Sequence, residues 1–231
     1  MNAKQRVAER AATFVSEGMV VGLGTGSTAD YFIQALAELH REGMPFTTVS
    51  SSVVSQIKAH DLGLPSISLD QVTTVDLYVD GADEVSPDIT LLKGQGADLV
   101  REKLLAKASR HFLVLVDESK LVRSIGQNFA IPIEVMPFAW RMVKTQLEVL
   151  GGQGDLRRIA GKDNLMISSH GSLILDMVFP DELDVATLNE RLNAIPGVVE
   201  HGIFKNLANA VFLGVAGGVE ERWADNGDEA S

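Results

Sequence analysis

No cysteine occurs among the 231 residues. That excludes a disulfide framework, a thiolate metal site and a thiol nucleophile together. Positive charge is also short: 20 Lys and Arg stand against 31 Asp and Glu, a formal net charge of −11. General nucleic-acid binding needs a basic face, so no nucleic-acid partner is expected. A small anionic substrate stays open, because a local pocket can be positive on an acidic protein. Long apolar runs are missing: none approaches the ~18 residues of a membrane span. The opening Met1-Asn2-Ala3-Lys4-Gln5-Arg6 has no apolar signal-peptide core. The expectation is a cytoplasmic protein with no membrane partner. The five histidines show no His-x₃-His or similar spacing, so zinc is not expected. What is plentiful is apolar residue, 45% of the chain, enough for one large domain or one and a half.

The chain is organised around Asp80-Gly81-Ala82-Asp83-Glu84, followed by Lys93-Gly94-Gln95-Gly96-Ala97 and Arg101-Glu102-Lys103. The run Val75–Val79, broken by Asp76, reads as a buried strand leading into the acids. In an open α/β sheet, ligands bind outside the carboxyl ends of the strands. Crowded carboxylates raise a pKa unless cations or hydrogen bonds offset the repulsion; Lys93 and the N–H groups of its glycine turn are placed to do so.

Earlier in the chain, a helix is expected over 3–16, ended by Gly18, then a strand Met19–Leu23. Gly24-Thr25-Gly26-Ser27-Thr28 follows, opening a helix through Leu39. Strand, glycine turn and helix make an anion site from backbone N–H groups and the helix dipole. A dinucleotide fingerprint would need glycine at Ser27, and a Walker A loop would need Gly-Lys-Ser/Thr. The loop therefore reads as a nest for one phosphate, assisted by the hydroxyls of Thr25, Ser27 and Thr28. The alternative is a structural turn capped by Ser27 or Thr28.

Further on, the expected elements are a strand Phe46–Val49, a helix Val53–Leu62 and short strands Ile67–Leu69 and Ile89–Leu92. A helix Gly96–Ala108 with Leu99, Val100, Leu104 and Leu105 buried comes next, then a strand Phe112–Val116 ending in Asp117-Glu118-Ser119-Lys120. After Pro132 the pattern changes. Strands Ile131–Val135, Leu156–Ile159, Leu165–Ser168, Leu173–Val178 and Val198–Phe204 accompany helices Phe138–Leu150 and Asp184–Ala194. A β-α-β-β-α-β order of this kind predicts a ferredoxin-like lobe. Ala210–Val215 returns to the main sheet, and 217–231 is expected to be a frayed tail. The fold class is α/β: a Rossmann-like parallel-sheet domain (1–130 plus 205–231) with a smaller α+β lobe (131–204) for closure or oligomerisation.

In order and spacing, Gly22–Thr28, Ser50-Ser51-Ser52, Tyr78–Glu84, Lys93-Gly94, Arg101-Glu102-Lys103, Asp117–Lys120, Leu147–Gly152 and Asn193–Phe204 resemble the type A ribose-5-phosphate isomerase family. The resemblance covers nearly the whole chain. It implies an aldose–ketose isomerase that interconverts ribose 5-phosphate and ribulose 5-phosphate without metal or cofactor, in the pentose phosphate pathway. It also implies a homodimer or homotetramer. The family's general base falls on Glu102. Its substrate segments fall on Thr25, Gly26, Ser27 and Thr28, on Asp80, Gly81, Ala82 and Asp83, on Lys93, Gly94, Gln95 and Gly96, and on Lys120. Two departures stand out: Gln95 interrupts the family's glycine run, with Asp98 soon after, and Ser169-His170-Gly171-Ser172 replaces an Asp-Asn-Gly-Asn turn.

Isomerisation moves a proton from carbon 2 to carbon 1 through a cis-enediolate, and one carboxylate can carry it. Glu102, early on a helix, suits that task if partly desolvated. Otherwise it is a solvated acid between Arg101 and Lys103. Lys93 would stabilise the enediolate oxygens, or close the loop against Asp80 or Asp83. Asp80 and Asp83 would bind sugar hydroxyls and assist ring opening, or cap the Asp-Gly turn. Lys120 would reach the phosphate or a hydroxyl, or stay a surface lysine, and Glu84 is expected to be structural. A hydride-shift route would use Mg²⁺ on Asp80, Asp83, Glu84 and Glu102. Rival readings are a related sugar-phosphate isomerase, an amino-sugar-phosphate deaminase, and a non-catalytic sugar-phosphate sensor.

Overall fold

A computed structural model describes residues 2–161 and 163–224. The chain runs α1 (Ala3–Ala12), β1 (Val20–Leu23), α2 (Ser27–Arg41), β2 (Thr47–Ser50), α3 (Val53–Asp61) and β3 (Val75–Asp80). Next come β4 (Glu84–Val85), β5 (Leu91–Leu92), α4 (Leu99–Ala108), β6 (Ser109–Asp117), β7 (Ile131–Val135) and α5 (Trp140–Val149). Then follow β8 (Gln153–Leu156), β9 (Leu173–Val178), α6 (Val185–Asn193), β10 (Val198–His201), β11 (Ile203–Phe204), β12 (Ala210–Val215) and β13 (Gly218–Trp223). These elements cluster into two units: residues up to Ala82 with Arg101–Leu121 and the chain from Asn206, and Asp83–Val100 with Val122–Lys205.

The first unit is built on a six-stranded sheet in the order β13-β12-β6-β3-β1-β2, parallel except for β13. The inner strands β1, β3, β6 and β12 are mostly apolar and buried, as strands covered on both faces are. On one face α1 and α2 bury Val7, Ala11, Phe32 and Leu36 with Val21, Leu23 and Val79. The strand order reverses between β1 and β3, the point at which open sheets bind ligands. α1 starts on the Asn2 side chain, which accepts from the Gln5 N–H, and ends at Ala12, short of the expected 16. Phe14 beyond it turns in against Phe212 and Trp223, with ring centroids 5.5 and 5.9 Å away. The stretch expected to fray is instead the edge strand β13 as far as Trp223. Val219, Glu221 and Trp223 share one side of it, so the aromatic ring anchors the edge; the remainder of that tail lies outside the described residues. Ile67–Leu69 is no strand: only Ser66 bridges to Thr48, and a 3₁₀ turn covers Leu69–Gln71.

The second unit holds a four-stranded antiparallel sheet in the order β10-β7-β9-β8. That is fourth, first, third, second of a β-α-β-β-α-β run, as in ferredoxin-like folds. α5 and α6 bury Val143, Leu147, Leu188 and Leu192 with Ile133 and Leu175. The expected strand at 165–168 is reduced to single bridges, Arg158 with Leu165 and Ile167 with Leu173. The Ser168 hydroxyl accepts the N–H groups of His170 and Ser172, a local turn that competes with the ladder. The expected single strand 198–204 breaks at Gly202. β10 pairs with β7, whereas β11 joins a second small sheet, β11-β5-β4. A Cβ on Gly202 would stand 2.3 Å from the Lys93 carbonyl oxygen. Only glycine lets these backbones exchange their hydrogen bond, Lys93 N–H to Gly202 O at 2.9 Å.

Candidate active site

In the first unit, β1 and β3 end side by side where the strand order reverses. The Gly24 N–H donates to Val79 O at 2.8 Å. A Cβ on Gly24 would lie 2.1 Å from Asp80 Oδ1, so the loop needs glycine to sit this close. Asp80 is 1% exposed. Its Oδ1 accepts the N–H groups of Thr25 (3.0 Å) and Gly81 (2.7 Å), and its Oδ2 accepts the Tyr78 hydroxyl at 2.5 Å. Asp80 thus fastens the glycine loop to the strand. Burial pushes the Tyr78 hydroxyl well above its ordinary pKa, and the carboxylates of Asp80 and Glu102 push it further. Tyr78 therefore stays a proton donor to Asp80.

The Thr25 hydroxyl is drawn into a cluster with Ser52 (2.6 Å), Ser55 (2.9 Å) and Ser51 (3.3 Å). Its hydroxyl serves the loop, while Ser27 and Thr28 open α2. The N-cap of α2 is Gly26, with no side-chain cap bond, so neither Ser27 nor Thr28 caps the helix. The first N–H groups of α2 are available to an anion. The Ser27 hydroxyl is met by Lys4 Nζ at 2.8 Å. Lys4 was not singled out in the sequence; nothing local marks a residue of α1 as a neighbour of the loop. Lys120 ends a 3₁₀ turn, Glu118–Lys120, after β6. The Asp117 carboxyl is held below its ordinary range by the Ser119 hydroxyl first, against burial, and further by the Ser119 N–H and the charges of Lys120 and Lys4.

α4 departs from the expected stripe. Glu102 and Lys103 are buried, at 5% and 6% exposure, while Leu104 is 52% exposed. Leu99 and Leu105 are buried as expected. Glu102 is therefore not the solvated helix acid that its charged neighbours implied.

In the second unit, the Asp83 N–H donates to Leu92 O at 2.8 Å, holding Asp83 against the start of the Lys93 turn. Lys93 is 4% exposed, with its Nζ 5.7 Å from the centroid of the Phe204 ring. Gly94, Gln95 and Gly96 form the turn proper, and the Gln95 N–H reaches toward Asp83 Oδ2 at 3.4 Å. Asp98 accepts the Ser169 hydroxyl. Glu84 is structural as expected: fully buried, it accepts the N–H groups of Gly126 (2.6 Å), Asn128 (2.5 Å) and Phe129 (3.0 Å). Hydrogen bonds to a charged group contribute about 1.5–3 kcal/mol each, so Glu84 ties 126–129 down firmly. Among the described residues no group of three His, Asp or Glu side chains is set to hold a metal ion.

The chain is similar to known proteins along nearly its whole length. The profile of the family described as Ribose 5-phosphate isomerase A (phosphoriboisomerase A) matches residues 47–218. The Ribose-5-phosphate isomerase A of Thermococcus kodakarensis is 44% identical over 219 residues, covering 94% of this chain and 96% of its own. That of Thermosynechococcus vestitus is 44% identical over 213 residues, 91% of this chain and 90% of its own. The solved ribose 5-phosphate isomerase A of Methanocaldococcus jannaschii superposes with a TM-score of 0.90 at 38% identity, over 96% of this chain and 98% of the other. A D-ribose-5-phosphate isomerase solved in complex with phospho-erythronic acid superposes with a TM-score of 0.91 at 40% identity, over 96% and 100%. With a profile matching most of its length and relatives of this identity along nearly all of it, the chain belongs to the ribose 5-phosphate isomerase A family.

Proposed function

We infer that this chain interconverts ribose 5-phosphate and ribulose 5-phosphate through a cis-enediolate, the isomerase step of the non-oxidative pentose phosphate pathway. The observation that carries the chemistry is the burial of Glu102 on a helix that leaves Leu104 outside. A carboxylate fixed on a helix and shielded from water can take a proton from carbon 2 and return it to carbon 1. Lys93, equally withdrawn from water, supplies positive charge for the enediolate oxygens. The N–H groups of Gly94, Gln95 and Gly96 assist it. Asp83 binds sugar hydroxyls and shuttles the proton of ring opening; Asp80 acts with it through Gly81 and Ala82 while holding the loop. Thr25 and Gly26 shape the phosphate nest, and the N–H groups of Ser27 and Thr28 receive the phosphate, with Lys120 and Lys4 as its cations.

The phospho-erythronic acid complex of the relative supports this reading. That acid joins a phosphate to a planar anionic carboxylate, the shape and charge of an enediolate phosphate. The proposed setting is cytoplasmic and the proposed assembly a homodimer or homotetramer. The proposed division is a catalytic domain of 1–130 and 205–231 and a lobe of 131–204 that serves closure or assembly.

The test is turnover of ribose 5-phosphate by EDTA-treated protein in deuterated water, followed by NMR. Ribulose 5-phosphate carrying deuterium at carbon 1 is expected. Activity that vanishes with EDTA and returns with Mg²⁺ would overturn the metal-free route. No ketose at all would overturn the substrate, with Gln95 the first residue to revert to glycine.

A further inference from the structure

Arg157 is tied to the substrate turn, and nothing in the chemistry above uses it. It follows β8, anchored by its N–H to Ile174 O at 2.7 Å. Its side chain is 9% exposed. Nε and Nη2 grip the carboxylate of Asp176, on β9, at 2.8 and 2.6 Å. Nη1 donates to two carbonyl oxygens in succession, Gly94 at 2.9 Å and Gln95 at 3.1 Å.

A two-pronged Arg–carboxylate pair fixes the guanidinium plane as no lysine would. The third nitrogen is then aimed by that plane. A peptide unit is planar, with its N–H opposite its C=O. Holding the Gly94 carbonyl therefore aims the Gln95 N–H away from Arg157, and holding the Gln95 carbonyl does the same for the Gly96 N–H. The Gln95 N–H is in fact directed toward Asp83. The cation also polarises both peptides, which strengthens their N–H groups as donors. A packing role alone would not require one buried cation on two consecutive carbonyls of the turn that follows Lys93.

We propose that Arg157, held by Asp176, is a positioning residue of the isomerase reaction: it fixes the two peptide planes of the turn, so that the Gln95 N–H faces Asp83 and the Gly96 N–H is aimed at the substrate oxygens. The proposal rests on the reading of Lys93–Gly96 as a substrate segment. It also accounts for Gln95 in a run of glycines. Only its backbone is gripped, and its side chain is exposed, so a side chain there leaves the clamp intact.

The experiment compares Arg157→Ala, Arg157→Lys and Lys93→Met with the wild type, each with its melting temperature. Arg157→Ala is expected to lose about 10²-fold in kcat, the scale of a small misplacement of catalytic groups. KM should change little, because phosphate contacts are untouched. Arg157→Lys keeps the charge without the fork and should stay near the Ala variant. Millimolar guanidinium chloride, far below denaturing concentrations, should restore turnover to Arg157→Ala and to neither of the others. Unchanged kcat in Arg157→Ala, beside lost turnover in Lys93→Met, overturns the role of Arg157 alone. Turnover that merely follows the folded fraction, without rescue by guanidinium, makes Arg157 structural and also overturns it. Wild-type turnover in Lys93→Met removes the turn from the site, and the proposal with it.

Discussion

Glu102 and Lys103 occupy the buried side of α4, and Leu104 the exposed side. Apolar periodicity locates the inner face of a helix by assuming that charges stay out. Here two charges point inward beside the apolar stripe: Leu99 and Leu105 are buried as expected, Val100 is half-buried, and Leu104, expected inside, is out. The motif Arg101-Glu102-Lys103 still marked Glu102, since a recurring order of residues does not depend on which face is buried. Asp80 was visible in the sequence as an acid at a strand end, but its grip on the Thr25 and Gly81 N–H groups depends on two strands lying side by side. If Glu102 carries the proton, Glu102→Gln keeps the shape and removes the base. Turnover should fall by roughly 10²–10⁴-fold, while calorimetry with phospho-erythronic acid should show binding within a few-fold of wild type. The melting temperature, measured alongside, separates lost chemistry from lost folding. Turnover within tenfold of wild type would move the base elsewhere.

At the scale of elements, β1, β3, β6 and β12 were legible because each carries a buried, mostly apolar run. α6 was legible because Asp184 caps it, accepting the Thr187 N–H at 2.9 Å. The misses were short or edge elements, such as β13 and the bridge at Leu165, whose pairing is decided by partners distant in sequence. β7 holds a further case. It is buried along its length, yet it contains Glu134, fully buried opposite Ile174 and Glu200. The Ser168 hydroxyl donates to its Oε1 at 2.6 Å. Burial raises the Glu134 pKa above the ordinary 4.5, outweighing the hydroxyls of Ser168 and Ser172 and the charge of His170, and Glu200 raises it further. Between the unfolded and folded values the folded state binds the extra proton, so stability falls as pH rises through that interval; below the unfolded value the two states are alike. Glu134→Gln should remove this slope. Against wild type, its melting temperature should gain on passing from pH 4 to pH 7, by about 2–4 °C for each kcal/mol in a chain of this size. Parallel melting curves across that range would show that Glu134 is as easily ionised folded as unfolded.

The whole molecule is acidic, and two copies carrying −11 each repel at long range. Any self-association would therefore rest on apolar area at short range rather than on net charge. Such area is present on the second unit. Phe138, just before α5, is 83% exposed, and Met142 and Val149, seven residues apart on the helix, are 71% and 83% exposed. Residues i and i+7 share a helix face, so this is a stripe rather than scattered surface. Its opposite face is already spent on Val143 and Leu147 in the core. The amphipathic pattern of α5 was readable from sequence, but its second apolar face was not, because a single chain's periodicity does not say which of two stripes is covered by its own sheet. We expect a second copy to cover this stripe by two-fold symmetry, each α5 meeting its mate. Light scattering on the wild type should give a multiple of the 24.9 kDa chain mass. Met142→Glu with Val149→Glu places four carboxylates in a symmetric contact. It should lower the mass to a smaller assembly or the single chain, while circular dichroism and the melting of the core stay native-like. An unchanged mass in the double variant would exclude α5 as the contact and leave its stripe to another partner. A wild type that already runs as a single chain would remove the homo-oligomer from the reading altogether.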